Sequence, residues 1–97
     1  MDTYKRVRMK SFNKMISRPD DHTKDSENYW KLVGLEGEII ADERIYEKIF
    51  KTKENPRVLV KFDCNIKELG LISHNEKANS NWGNSLWILI DDLEEMN

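Results

Sequence analysis

The stretch Arg57-Val58-Leu59-Val60-Lys61-Phe62-Asp63 sets Val58, Val60 and Phe62 two residues apart, and no other feature constrains the fold as strongly. A period of two belongs to an extended strand, where alternate side chains share a face, and β-branched residues favour that backbone. Asn55-Pro56 supplies the turn before it, and its apolar density reads as a central strand. Weaker versions of the pattern recur. Lys5 to Phe12 alternates basic residues with Val7, Met9 and Ser11, a half-buried strand, and Glu38-Ile39-Ile40-Ala41 follows the turn-setting Gly34 and Gly37. Leu69, Leu71 and Ile72 around Gly70 give a weaker strand, and Ser85-Leu86-Trp87-Ile88-Leu89-Ile90 another buried one.

One segment follows a different period. Ile45, Tyr46, Ile49 and Phe50 recur at helical spacing behind Asp42, a good cap, with Glu47 and Lys51 four apart. This predicts a short helix over 43–51, in competition with a continuation of the preceding strand into a long hairpin. Residues 13–28 are rich in Ser, Asp, Asn and Pro and form a long loop; residues 73–85 form a second, polar one. Asp91-Asp92-Leu93-Glu94-Glu95 is a polar tail with room for one helical turn.

Five short strands in 97 residues are too few for an ordinary sandwich. A closed or nearly closed small barrel hides their edges economically, so residues 1–97 are expected to form one mainly β domain with long loops and one short helix. Nine aromatic residues and 38% hydrophobic content are enough for a core and argue against wholesale disorder. The lone Cys64 cannot close an intramolecular disulfide and no apolar stretch follows Met1, which points to a cytoplasmic setting. The longest apolar run, Leu86 to Ile90, is far too short to cross a bilayer, so no membrane role is expected.

The net charge of −2 conceals a polarity: residues 1–18 carry +5 and the remainder −7. A first strand can pair with the acidic carboxyl-terminal segment and be neutralised by it.

Val33-Gly34-Leu35-Glu36-Gly37-Glu38-Ile39-Ile40 resembles the glycine-turn-strand element of KOW and related SH3-like barrels. Arg57 to Phe62 is similar to an inner strand of such barrels, and Leu86-Trp87-Ile88 through Asp92-Leu93 to their closing strand and turn. The resemblance spans about half the chain and implies a five-stranded SH3-like barrel. It also implies contact with RNA, ribosomal proteins or RNA polymerase, or with proline-rich peptides. The family's glycine turn tends to carry Lys or Arg; here it carries Glu36 and Glu38, which counts against nucleic acid.

Candidate binding residues fall into two sets. Trp82, in Asn79-Ser80-Asn81-Trp82-Gly83-Asn84, has no apolar neighbour to pack on in sequence, and Tyr29 and Trp30 follow the long loop. Aromatic anchors in polar loops suit a protein partner, as in adaptors, inhibitors or immunity-type proteins. Against this stands a plain structural use, in which Trp82 folds back as a lid over one end of the barrel. Arg6, Arg8 and Lys10 share a strand face about 6.6 Å apart per pair, near phosphate spacing, and make nucleic acid the alternative partner. Their plain reading is a solvated face or a partner for the protein's own carboxylates, favoured by an isoelectric point near 5.7.

Chemistry is not expected. His22, His74 and Cys64 lack metal-ligand spacing, so no metal or other cofactor is implied. A Cys64, His74 and Asp63 nucleophile arrangement would place neighbours Asp63 and Cys64 on opposite strand faces. Gly34 and Gly37 fit neither glycine-rich phosphate loop, and no small-molecule substrate is evident. The chain reads as a non-enzymatic binding module.

Overall fold

A computed structural model describes residues 5–16, 24–72 and 83–96. It contains five strands, β1 (Arg6–Met9), β2 (Glu36–Ala41), β3 (Arg57–Phe62), β4 (Ser85–Leu89) and β5 (Leu93–Glu95), and one α-helix, α1 (Glu43–Phe50). All pair antiparallel in one sheet of order β4-β3-β2-β1-β5. The mainly β class, the number of strands and the helix therefore hold among the described residues. The sheet is not closed: β4 and β5 are its edges and do not pair with each other.

It is nevertheless curled, because the 3-10 turn Ile90–Asp92 alone joins these two edge strands. A bulge at Ile40 shifts the β2–β3 register between Ile39 and Ala41 and adds local twist. The concave side holds the core, built from Val7, Met9, Leu32, Val58, Val60, Phe62, Ile66, Leu71, Leu86 and Ile88. Gly37 lies within β2, not in the turn as its spacing suggested. A β-carbon there would stand 2.5 Å from the Lys61 carbonyl oxygen, so only glycine lets the two strands approach.

Two elements differ from the sequence expectation. Residues 69–72 are no strand. Asn65 caps a 3-10 helix over Ile66–Leu69 by accepting from the Lys67 amide, and Gly70, at φ 80°, ends it in the left-handed conformation that suits glycine. Leu71 is buried as the chain leaves this turn, so the apolar residues around Gly70 reflect packing at a turn. The fifth strand is Leu93–Glu95, in the polar tail, where only one helical turn was expected. Its two carboxylates conceal the strand because their partners are the basic residues of β1.

The helix forms as expected, one residue shorter. The Asp42 carboxylate accepts from the Arg44 and Ile45 amides, and Lys51 closes the other end in the left-handed region. It lies against β3 on the convex side. Leu59 points there, away from Val58 and Val60, and is fully buried. Its cross-strand neighbour Trp87 meets the rings of Tyr46 and Phe50 at 5.5 and 5.9 Å.

Candidate functional site

The long loop begins in an anchored turn. Asn13 and Lys14 adopt positive φ, and their amides both donate to the carboxylate of Asp92 at 2.8 Å. The Ser11 hydroxyl donates to the same group at 2.6 Å, and Asp92 is completely buried. This holds Phe12 and Met15 opposite one another, exchanging backbone hydrogen bonds of 2.8 and 3.0 Å.

Phe12 carries the rest of the corner. Its ring stands 5.5 Å from that of Tyr29 and 4.9 Å from that of Trp30, the latter edge-on. Both belong to the 3-10 turn Tyr29–Leu32, whose Leu32 is buried in the core. The Tyr29 hydroxyl donates to the Ile72 carbonyl at 2.7 Å, the Ile72 amide to Ser26 at 3.0 Å, and the Lys31 ammonium to Leu69 at 3.0 Å. Burial pushes the Tyr29 phenol up, helped by the charge of Glu27. Tyr29 and Trp30 are thus half-buried, and the Trp30 indole N–H is enclosed without a hydrogen-bond acceptor among the described residues. Around this tethered base Met15, Ile16 and Ile72 project outward, Ile16 with 77% of its surface in solvent. Trp82, the third aromatic candidate, lies outside the described residues, as do His22 and His74.

The basic stripe has a different setting. In β1, Arg6 faces Glu38 and Arg8 faces Glu36 on β2, while Arg8 also faces Glu94 on β5. Arg6 holds Asp63 in a two-point ion pair, 2.9 Å at one of its contacts, with Glu36 and Glu38 at 3.5 and 3.9 Å. Arg8 meets Glu94 at 3.3 Å and Lys5 meets Glu95 at 2.7 Å. Hydrogen bonds from these cations hold the Asp63 and Glu95 carboxyls below their ordinary range. Lys10 lies past the end of β1, exposed, its backbone amide donating to Asp92. The structure therefore brings Arg6 and Arg8 together with carboxylates on both flanks. The acidic residues of the glycine-turn element are their cross-strand partners.

Cys64 borders an open depression of about 380 Å³ with Asp63, Asn65 and Asn84. Asn84 organises this end by accepting from the Ile66 amide at 2.8 Å and donating to the Phe62 and Cys64 carbonyls at 2.8 and 2.6 Å. Burial raises the thiol of Cys64, the opposite of what a nucleophile needs. Among the described residues no three His, Cys, Asp or Glu side chains gather as a metal site would require. No helix among them is long and apolar enough to cross a membrane.

Sequence reasoning missed two contributors. Asp92 was assigned to a polar tail; a Ser-x-Asn-Lys turn able to present successive amides was its only sequence-level partner. The outward residues of α1 were missed too, although four large apolar residues in an eight-residue helix exceed what one shallow contact can cover. Compared with protein families, with curated proteins and with solved structures, the chain finds no match.

Proposed function

We propose that this protein is a non-enzymatic protein-binding module of adaptor, inhibitor or immunity type. Its curled sheet is read as a nearly closed SH3-like barrel, a reading supported by the single 3-10 turn that links the two edge strands. The binding surface is the Phe12, Tyr29 and Trp30 corner, extended by Trp82 on sequence grounds. One observation carries the proposal: Ile16, Met15 and Ile72 stand exposed on a base tied down by the Asp92, Ile72 and Leu69 hydrogen bonds. Apolar side chains held out on a fixed base lose little conformational freedom on docking, and aromatic neighbours add contact area. The alternative, nucleic acid on Arg6, Arg8 and Lys10, is disfavoured because the first two already face carboxylates.

Capture of partners from the native host, repeated with Ile16→Asp and Trp82→Ala, tests the surface. At least one partner should be lost with each variant while unfolding is unchanged; identical partner sets would overturn it. Random-sequence single strands should show no complex even at low salt, where phosphate contacts are strongest.

A further inference from the structure

The apolar arc of α1 is not centred on the sheet it packs against. At about 100° per residue, Ile45, Ile49, Tyr46 and Phe50 follow one another around the helix, with Arg44 and Lys48 next to the isoleucines. The Tyr46 and Phe50 rings of this arc meet Trp87. Ile45, Ile49 and Phe50 keep 38%, 47% and 49% of their surface in solvent, and no residue of α1 is fully buried. An amphipathic helix this incompletely covered leaves an apolar strip in water.

One flank of that strip is basic, the Arg44 and Lys48 side next to Ile45, whereas Glu43 and Glu47 follow Phe50 on the other. Arg44, Lys48, Lys51 and Lys53 surround an open depression of about 400 Å³ with Glu47 as its one acid. Asp42 holds Arg44, but Lys48, Lys51 and Lys53 have no side-chain partner among the described residues. On β1 the reverse holds, since Lys5, Arg6 and Arg8 all meet carboxylates.

We propose that this face of α1 docks an acidic amphipathic segment of a partner protein. Its apolar side chains seat on Ile45, Ile49 and Phe50, and its carboxylates pair with Lys48, Lys51 and Lys53. A second copy fits poorly, because face-to-face docking would oppose four cations with four, and Glu94 and Glu95 are already engaged. Nucleic acid would leave two aliphatic side chains at the centre of the patch without stacking partners. An anionic bilayer would receive only three apolar side chains, less than the marginal grip of one acyl chain. The surface lies on the convex side, whereas Phe12 and Tyr29 pack against the core, so the inference is independent of the corner.

Selection from a random 16-residue peptide library displayed on phage, against the immobilised full chain, provides the test. Recovered peptides should be rich in Asp and Glu between Leu, Ile or Phe, and should bind at least tenfold more weakly to Ile49→Asp and to a Lys48→Glu, Lys51→Glu, Lys53→Glu variant. Ile16→Asp should leave their affinity unchanged, and the triple variant should select basic peptides instead. All these positions are exposed, so unfolding midpoints must match the parent; Ile49→Ser replaces Ile49→Asp if its midpoint falls. Recovery of no peptide sensitive to position 49 would overturn the proposal. So would Ile49-dependent dimerisation, or tighter Ile49-dependent binding to phosphatidylserine vesicles or to a single-stranded oligonucleotide than to every selected peptide.

Discussion

Asp92 shows how much one side chain can organise. Its buried carboxyl group accepts from the Ser11 hydroxyl and from two consecutive amides, so three donors meet it. Asp92→Asn keeps the shape but turns one acceptor into a donor facing donors. The change should cost about 2 to 3 kcal/mol, the scale of a charged hydrogen bond lost with its partner left buried. Urea unfolding should show a lower midpoint at unchanged slope, and an unchanged midpoint would refute the role. The ion pairs of β1 give a pH prediction of definite sign. Asp63 and Glu95 are depressed in the folded chain, so unfolding raises their proton affinity. Their contribution is complete above the unfolded values of about 4 and is lost as pH falls through the lower folded values. These groups are exposed, so the loss is small and screened. The stability decline below pH 4 should therefore flatten in Asp63→Asn and in 1 M salt, as denaturation midpoints across that range can show. The pairing behind it was legible in the sequence as an excess of base in 1–18 and of acid beyond; which carboxylate meets which cation required the register.

At the level of elements, the strands with apolar alternation were legible and those without were not. β3 reads directly because Val58, Val60 and Phe62 all enter one core. β5 does not, because Glu94 and Glu95 are chosen for charge opposite β1, and apolar content carries no trace of an edge strand made that way. Residues 69–72 misled in the opposite sense, since burial of Leu71 against Ile66 needs a capped turn and no extended chain. The corner residues Tyr29 and Trp30 were legible as aromatics beside a long loop. Their support from Phe12 was not, since Phe12 lies across the loop in sequence. α1 and β3 make a prediction together. Leu59→Ala removes a fully buried side chain under the helix and should cost about 2 to 5 kcal/mol, whereas Ile49→Ala, half in water, should cost well under that. Equal costs in guanidinium unfolding would mean that Ile49 is covered as fully as Leu59.

For the whole molecule, sheet order and charge tell the same story. The basic amino-terminal strand is placed between two acidic ones, so the sequence polarity of the chain becomes near-neutrality across the sheet. β1 and β5 pair there, with Val7 opposite Glu95, so this part of the ladder joins residues far apart in sequence. β1, β2 and β3 each have a neighbour on both sides, β4 and β5 have one, and α1 rests on β3 and on Trp87 of β4 and contributes no fully buried residue. Opening free energy should follow that ranking, because local openings are cheapest where few apolar contacts break. In native-state hydrogen exchange, amides of β2 and β3 should therefore exchange only through global unfolding, with the same denaturant dependence as equilibrium unfolding. Amides of α1 should exchange through a local opening of little denaturant dependence. A docked acidic segment would convert this local opening into a global one, so slowed exchange confined to α1 on adding a selected peptide would link its incomplete coverage to its role. Protection in α1 equal to that of β3 in the free chain would show that the helix is already as firmly held as the core, and an uncovered face would no longer explain why its lysines stand alone.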